Sequence, residues 1–160
     1  MPTSNDNTCF GCSQQNISGL QMVFYTSPKA DKIYSWLNLP PHFCGWSNLA
    51  HGGIIATVLD EIMAWGSMAI LGKFILSKTI TVDFIRPVIL GTEIRAEGWL
   101  KSVSSEKESV LEGCIYNSEN EICARSTCVA ATFTTEAVRK MGVADEKMLN
   151  ELDYMMNSWR

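Results

Sequence analysis

The chain has 160 residues, 46% apolar and 19% charged, which suits one domain with a real core and is unlike disorder. Its net charge of −4 argues against a nucleic-acid surface, which needs a basic stripe, so no nucleic-acid partner is expected. The opening "MPTSNDNTC" has no leader pattern, and the longest apolar run is broken by Asp60 and Glu61. A cytoplasmic protein with no membrane partner is the expectation.

A single domain over 1–160 is expected, with 1–18 a polar, irregular segment whose Cys9–Cys12 turn tucks against the body. "LQMVFYTS" (20–27) and "KIYSWLNL" (32–39) read as strands joined by the turn "PKAD", and Pro40-Pro41 ends the second. The loop "HFCGWSNLA" leads to a helix over about 52–71, with Gly72 as its C-terminal stop. Four further strands follow at 77–87, 92–104, 108–117 and 121–135, with Ser118-Glu119-Asn120 turning between the last two. The tail, 136–160, has helical spacing through Val138, Met141, Met148, Leu152 and Met155 and is expected to lie on the body. A helix apolar on nearly all sides must be wrapped. One curved antiparallel sheet around it does so, an α+β arrangement. Its free edge and uncovered helix stripe predict a homodimer or a dimer of dimers.

Of the six cysteines, Cys44, Cys114, Cys123 and Cys128 sit in apolar contexts and are expected to pack as small hydrophobes. Cys9 and Cys12 form the one CxxC. No second CxxC or His pair stands at zinc spacing, so no metal or other cofactor is expected, although His42 and Cys44 could complete a site in space. Redox work is disfavoured, because no strand leads into the motif and no helix follows it.

The helix entry, "NLAHGGIIATVLDEIMAW" (48–65), carries the chemistry. A helix start leaves N–H groups unpaired at the positive end of the macrodipole, and glycines let another group approach them. His51-Gly52-Gly53 can thus offer donors to an oxygen that becomes negative, or simply turn the chain into the helix. Asp60, flanked by Leu59, Ile62 and Met63, is placed in apolar surroundings, as a general base or nucleophile would be. Adjacent helix positions point about 100° apart, so Glu61 is expected to reach solvent or a Lys or Arg as a structural partner. Gly52 and Asp60 lie roughly 12 Å apart along one helix. One helix therefore cannot readily bring both to a single carbonyl, whereas two antiparallel helices of a symmetric dimer can.

These residues resemble the hotdog-fold acyl-CoA thioesterases, particularly the PaaI-like branch. "CFGC…NISGL" (9–20) is similar to that branch's N-terminal segment, "GWSNLAHGGIIATVLDE" (45–61) to its helix entry, and "VDFIRPV…G" (82–91) to its strand ending in Tyr-Leu-Arg-Pro-Val. The resemblance covers about residues 9–133. It implies the hotdog fold, hydrolysis of an acyl-CoA substrate, Asp60 as the catalytic carboxylate, and Gly52 with its neighbour Gly53 as backbone donor. Ser77 matches a hydroxyl that helps hold the attacking water, and His51 is expected to orient the loop or touch the thioester. Ser13, Ile17 and Asn48 depart from the branch's pattern, and Asn48 is a candidate contact to the thioester. Arg86, Lys78 and Lys101 are candidates for the coenzyme phosphates, and Phe43, Trp46, Trp65 and Met68 for the acyl pocket. Two other readings stay open: a non-catalytic acyl-CoA-binding or regulatory hotdog protein, and an enoyl-thioester hydratase or dehydratase, which would normally want a His that the helix interior lacks.

Overall fold

The structure, a computed structural model, describes residues 8–27, 29 and 31–158. Residues 1–7 of the irregular segment, Pro28 and Ala30 of the expected turn and residues 159–160 of the tail lie outside the described residues. In chain order the elements are β1 (Tyr25–Thr26), β2 (Lys32–Asn38), a 3-10 turn at Pro41–Phe43, and the small hairpin β3 (Cys44–Trp46) and β4 (Leu49–Ala50). Helix α1 (Gly52–Leu71) follows, then β5 (Phe74–Phe84), β6 (Glu93–Ser105), β7 (Glu108–Tyr116), β8 (Ile122–Phe133), α2 (Thr135–Met141) and α3 (Glu146–Ser158).

Six strands form one antiparallel sheet in the order β1-β2-β6-β7-β8-β5, and α1 packs across it. Ile55, Val58, Leu59, Ile62 and Met63 of the helix are buried with Ile33, Ile94, Leu111 and Ile115 of the strands. Close approach is set at Gly98 of β6, where a Cβ would stand 2.6 Å from Ile62 O. The helix ends at Gly72, whose φ of 62° is left-handed and whose N–H closes on Met68 O. By length and composition α1 could cross a bilayer, but here it is the core helix of a wrapped sheet.

Three expectations are corrected. The stretch 20–27 is a strand only at Tyr25–Thr26, because Leu20 and Met22 instead take backbone bonds to Phe10 O and Gly11 O and bury their side chains with the N-terminal turn. Strand β5 begins at Phe74, three residues early, since Phe74 and Ile75 already pair with β8. The tail is two helices rather than one. Gly142 at φ 65° breaks the periodic run, and the Arg139–Glu146 ion pair ties the two pieces together. The Cys9–Cys12 turn does tuck against the body, with Cys12 buried.

Candidate active site

Asp60 is half-buried on the side of α1 that faces β5. Ser77 Oγ donates to its Oδ1 at 2.7 Å, so these two candidates, 17 residues apart, meet in one chain. A bulge places Ser77 there. Ser77 pairs with Ala130 and Thr79 with Val129, which leaves Lys78 as the extra residue. That extra residue shifts the alternation, so that Ser77 shares the inner face with Ile75, Ile80 and Val82, all packed on the core. The sequence carried this signal as a change of parity between Ile75 and Ile80. Strand β5 is also the edge of the sheet, paired on one side with β8, which leaves the Asp60–Ser77 pair beside the sheet's outer edge.

At the start of α1, His51 is the N-cap, and its Nδ1 accepts from Gly53 N–H at 2.9 Å. A neutral imidazole used this way carries its proton on Nε2. The Gly53 N–H is therefore taken, which corrects its pairing with Gly52 as a donor. Its lack of a Cβ matters because one would stand 3.1 Å from that Nδ1. Among the described residues no acceptor meets the Gly52 N–H. Gly52 opens on a cleft of about 310 Å³ lined by Leu49, Ile55, Phe84, Arg86 and Val88 among others. Phe84, which the sequence did not single out, sits 3.5 Å from where a Gly52 Cβ would be.

Glu61 departs from expectation. It meets no Lys or Arg among the described residues. Instead the Trp65 indole N–H donates to Oε1 at 3.1 Å and the Cys9 thiol reaches the same oxygen at 3.8 Å. Burial, with the sulfur of Cys9 beside it, pushes the Glu61 carboxyl up to about 7. The Cys12 thiol and the backbone N–H groups of Cys12 and Gly11 pull Cys9 down to about 5, while Cys12 itself is pushed up by Cys9 and by burial.

Most other candidates are engaged elsewhere. Lys78 pairs with Glu108 and Lys101 with Glu112, so both are strand cross-links. Arg86 lines the cleft while donating to Ile122 O and pairing with Glu121. Trp65, stacked on Phe24 at 4.7 Å between ring centroids, and Met68 are buried core, not open pocket wall. Phe43 is buried beside Phe10, whereas Trp46 is 81% exposed and Asn48 is exposed on the β3–β4 hairpin. Cys44 is exposed and donates to Ser47 O, unlike the buried Cys114, Cys123 and Cys128. Neither it nor His42 joins Cys9 and Cys12; the third donor there is Glu61.

Residues 47–124 match the family described as the thioesterase superfamily. Among solved structures the chain is similar to a thioesterase from Haemophilus influenzae, at 20% identity over 77% of this chain and 85% of that one, TM-score 0.67. It is similar also to the PaaI protein of the Escherichia coli phenylacetic acid degradation operon, at 16% identity over 70% of this chain and 83% of that one, TM-score 0.64. A Streptococcus mutans protein bound to acetyl CoA matches at 17% identity over 71% of this chain and 87% of that one, TM-score 0.63. Against another thioesterase-superfamily protein the chain spans 57% of that protein's length. No curated protein matches it. Likeness at these identities speaks for the fold, and the matched segment holds α1, Asp60 and Ser77. Together they show that the chain has the hotdog fold and that its residues 47–124 are similar to the thioesterase superfamily.

Proposed function

We propose that the chain hydrolyses acyl-CoA thioesters to the free acid and CoA, using Asp60 in a site completed by a second copy of the chain. The observation that carries this reading is the 2.7 Å bond from Ser77 Oγ to Asp60 Oδ1 beside the sheet edge. Ser77 fixes one carboxylate oxygen and leaves Oδ2 to take a proton from water or to attack the carbonyl carbon directly. The oxyanion needs a donor about 2.7–3.1 Å away, already aimed. Gly52 N–H supplies it, at the positive end of α1 and on an open cleft. Eight helical residues separate Gly52 from Asp60, so the donor facing Asp60 comes from the partner's helix, and the coenzyme lies along the cleft with Arg86 near its phosphates. CoA as the carrier is also in keeping with the acetyl-CoA-bound structural neighbour.

The test is free-thiol release over a panel of acyl-CoA thioesters, run with sedimentation on the same preparation. Turnover by a dimer or larger assembly supports the reading. Tight binding of a non-hydrolysable acyl-CoA without thiol release overturns it in favour of a binding protein, and full activity in a monomer removes the shared site.

A further inference from the structure

We propose that Cys9, Cys12 and Glu61 form a binding site for one thiophilic divalent cation, Zn2+ being the expected ion, which clamps the N-terminal turn onto α1 beside Asp60. This site is separate from the thioesterase chemistry and does not depend on it.

The donors converge from two distant parts of the chain. One ligand atom from each of the three residues lies within 4.8 Å of the other two. In a tetrahedral zinc site with sulfur at about 2.3 Å and carboxylate oxygen at about 2.1 Å, neighbouring ligand atoms stand about 3.5–3.8 Å apart. Cys9 Sγ and Glu61 Oε1 are already 3.8 Å apart. Closing the rest takes side-chain rotation and no change of fold. The fourth position falls to water. Two sulfurs and one carboxylate select a borderline-soft ion over Mg2+ or Ca2+, which take oxygen ligands.

The surroundings are those of held ligands. Cys12 N–H donates to Cys9 Sγ at 3.5 Å, and the Trp65 indole fixes Glu61 Oε1 at 3.1 Å. Outer contacts of this kind orient ligands and tune the metal. Gly11 makes room for the carboxylate, since a Cβ there would lie 2.4 Å from Glu61 Cδ. Charge gives the second reason. Glu61 is drawn in against two thiols with no Lys or Arg among the described residues paired to it. Such a cluster must hold protons or a cation, and a divalent ion replaces the protons while satisfying all three donors.

The experiment uses the full chain, reduced with a phosphine, stripped with a chelator and then titrated with Zn2+ by calorimetry and with Co2+ by absorption. One Zn2+ per chain and a thiolate-to-cobalt charge-transfer band are expected from the unmodified protein, whether or not any variant folds. Cys9→Ser should abolish the band and weaken Zn2+ by more than about 100-fold, beyond the cost of losing an outer contact. Glu61→Gln should weaken Zn2+ and keep the thiolate band, and Cys44→Ser should change neither. Absence of stoichiometric Zn2+ uptake, a Co2+ spectrum without the thiolate band, or unchanged affinity in Cys9→Ser each overturns the site. So does a reduced protein that takes up no metal and merely closes a Cys9–Cys12 disulfide on oxidation.

Discussion

Asp60 and Glu61 are consecutive residues of one helix, and their carboxylates meet opposite surroundings. Asp60 turns to the sheet edge, where a hydroxyl from a bulged strand donates to it and solvent remains within reach. Glu61 turns under the N-terminal turn, against an indole and two thiols, where burial raises it to about 7. About 100° of helix rotation thus separates a carboxylate that can act on a ligand from one enclosed by the protein. The local sequence gives both the same apolar neighbours. What divides them is which distant segment covers each side.

The strongest way to test that division is to neutralise the open member. Asp60→Asn keeps the shape and the Ser77 partner but removes the base or nucleophile. It should lower kcat by about 1,000-fold, in the range of a lost general base, with the thermal midpoint little changed. Wild-type turnover in a folded Asp60→Asn protein would take the chemistry away from this residue.

The two sides share one support. Gly98 of β6 lies against the helix turn that carries both carboxylates, and a Cβ there would stand 2.6 Å from Ile62 O and 3.0 Å from Ile62 C. Backbone atoms cannot swing aside as a side chain can. Gly98→Ala should cost about 1–3 kcal/mol of stability as an overpacked contact, read by chemical denaturation. Unchanged stability would mean that the helix does not press on the sheet at this point.

Ser77 sharpens the open side. Ser77→Ala should lower kcat by about 10- to 100-fold, the worth of one hydrogen bond to a charged group, while Ser77→Thr should recover most of it. If alanine and threonine fall equally, the hydroxyl is not what positions Asp60.

Much of this arrangement was legible in the residues. The helix limits followed from the His-Gly-Gly entry and Gly72, and the β-rich second half from alternation and its Ser118–Asn120 turn. Local rules reached that far because caps, turns and alternation are local physics. The bulge at Lys78 needed a partner strand to define it. The 20–24 stretch looked like a strand because its apolar residues bury, yet they bury against the Cys9–Cys12 turn and not in a ladder. Glu61 was given a surface role for the same reason: nothing near it in sequence announces that residues 9–12, some fifty positions earlier, cover it.

Neutralising the covered member should leave turnover nearly intact, and that small effect is what separates the two sides. Glu61→Gln retains an oxygen for the Trp65 indole and removes only the charge, so kcat should stay within about threefold of wild type if the residue touches no reacting atom. Its effect should surface in the pH dependence of stability of chelator-stripped protein. The folded carboxyl sits near 7 against an ordinary 4.5, so the native state holds the proton more tightly than the unfolded chain. The stability this gives is complete below pH 4.5 and is lost as pH rises through 7. Relative to wild type, Glu61→Gln should therefore gain stability between pH 5 and pH 8, on the order of 1 kcal/mol after discounting for solvent screening. A constant difference across that range would mean that Glu61 titrates as an ordinary surface carboxylate. The contrast between the neighbouring acids would then lie in their partners alone and not in their burial.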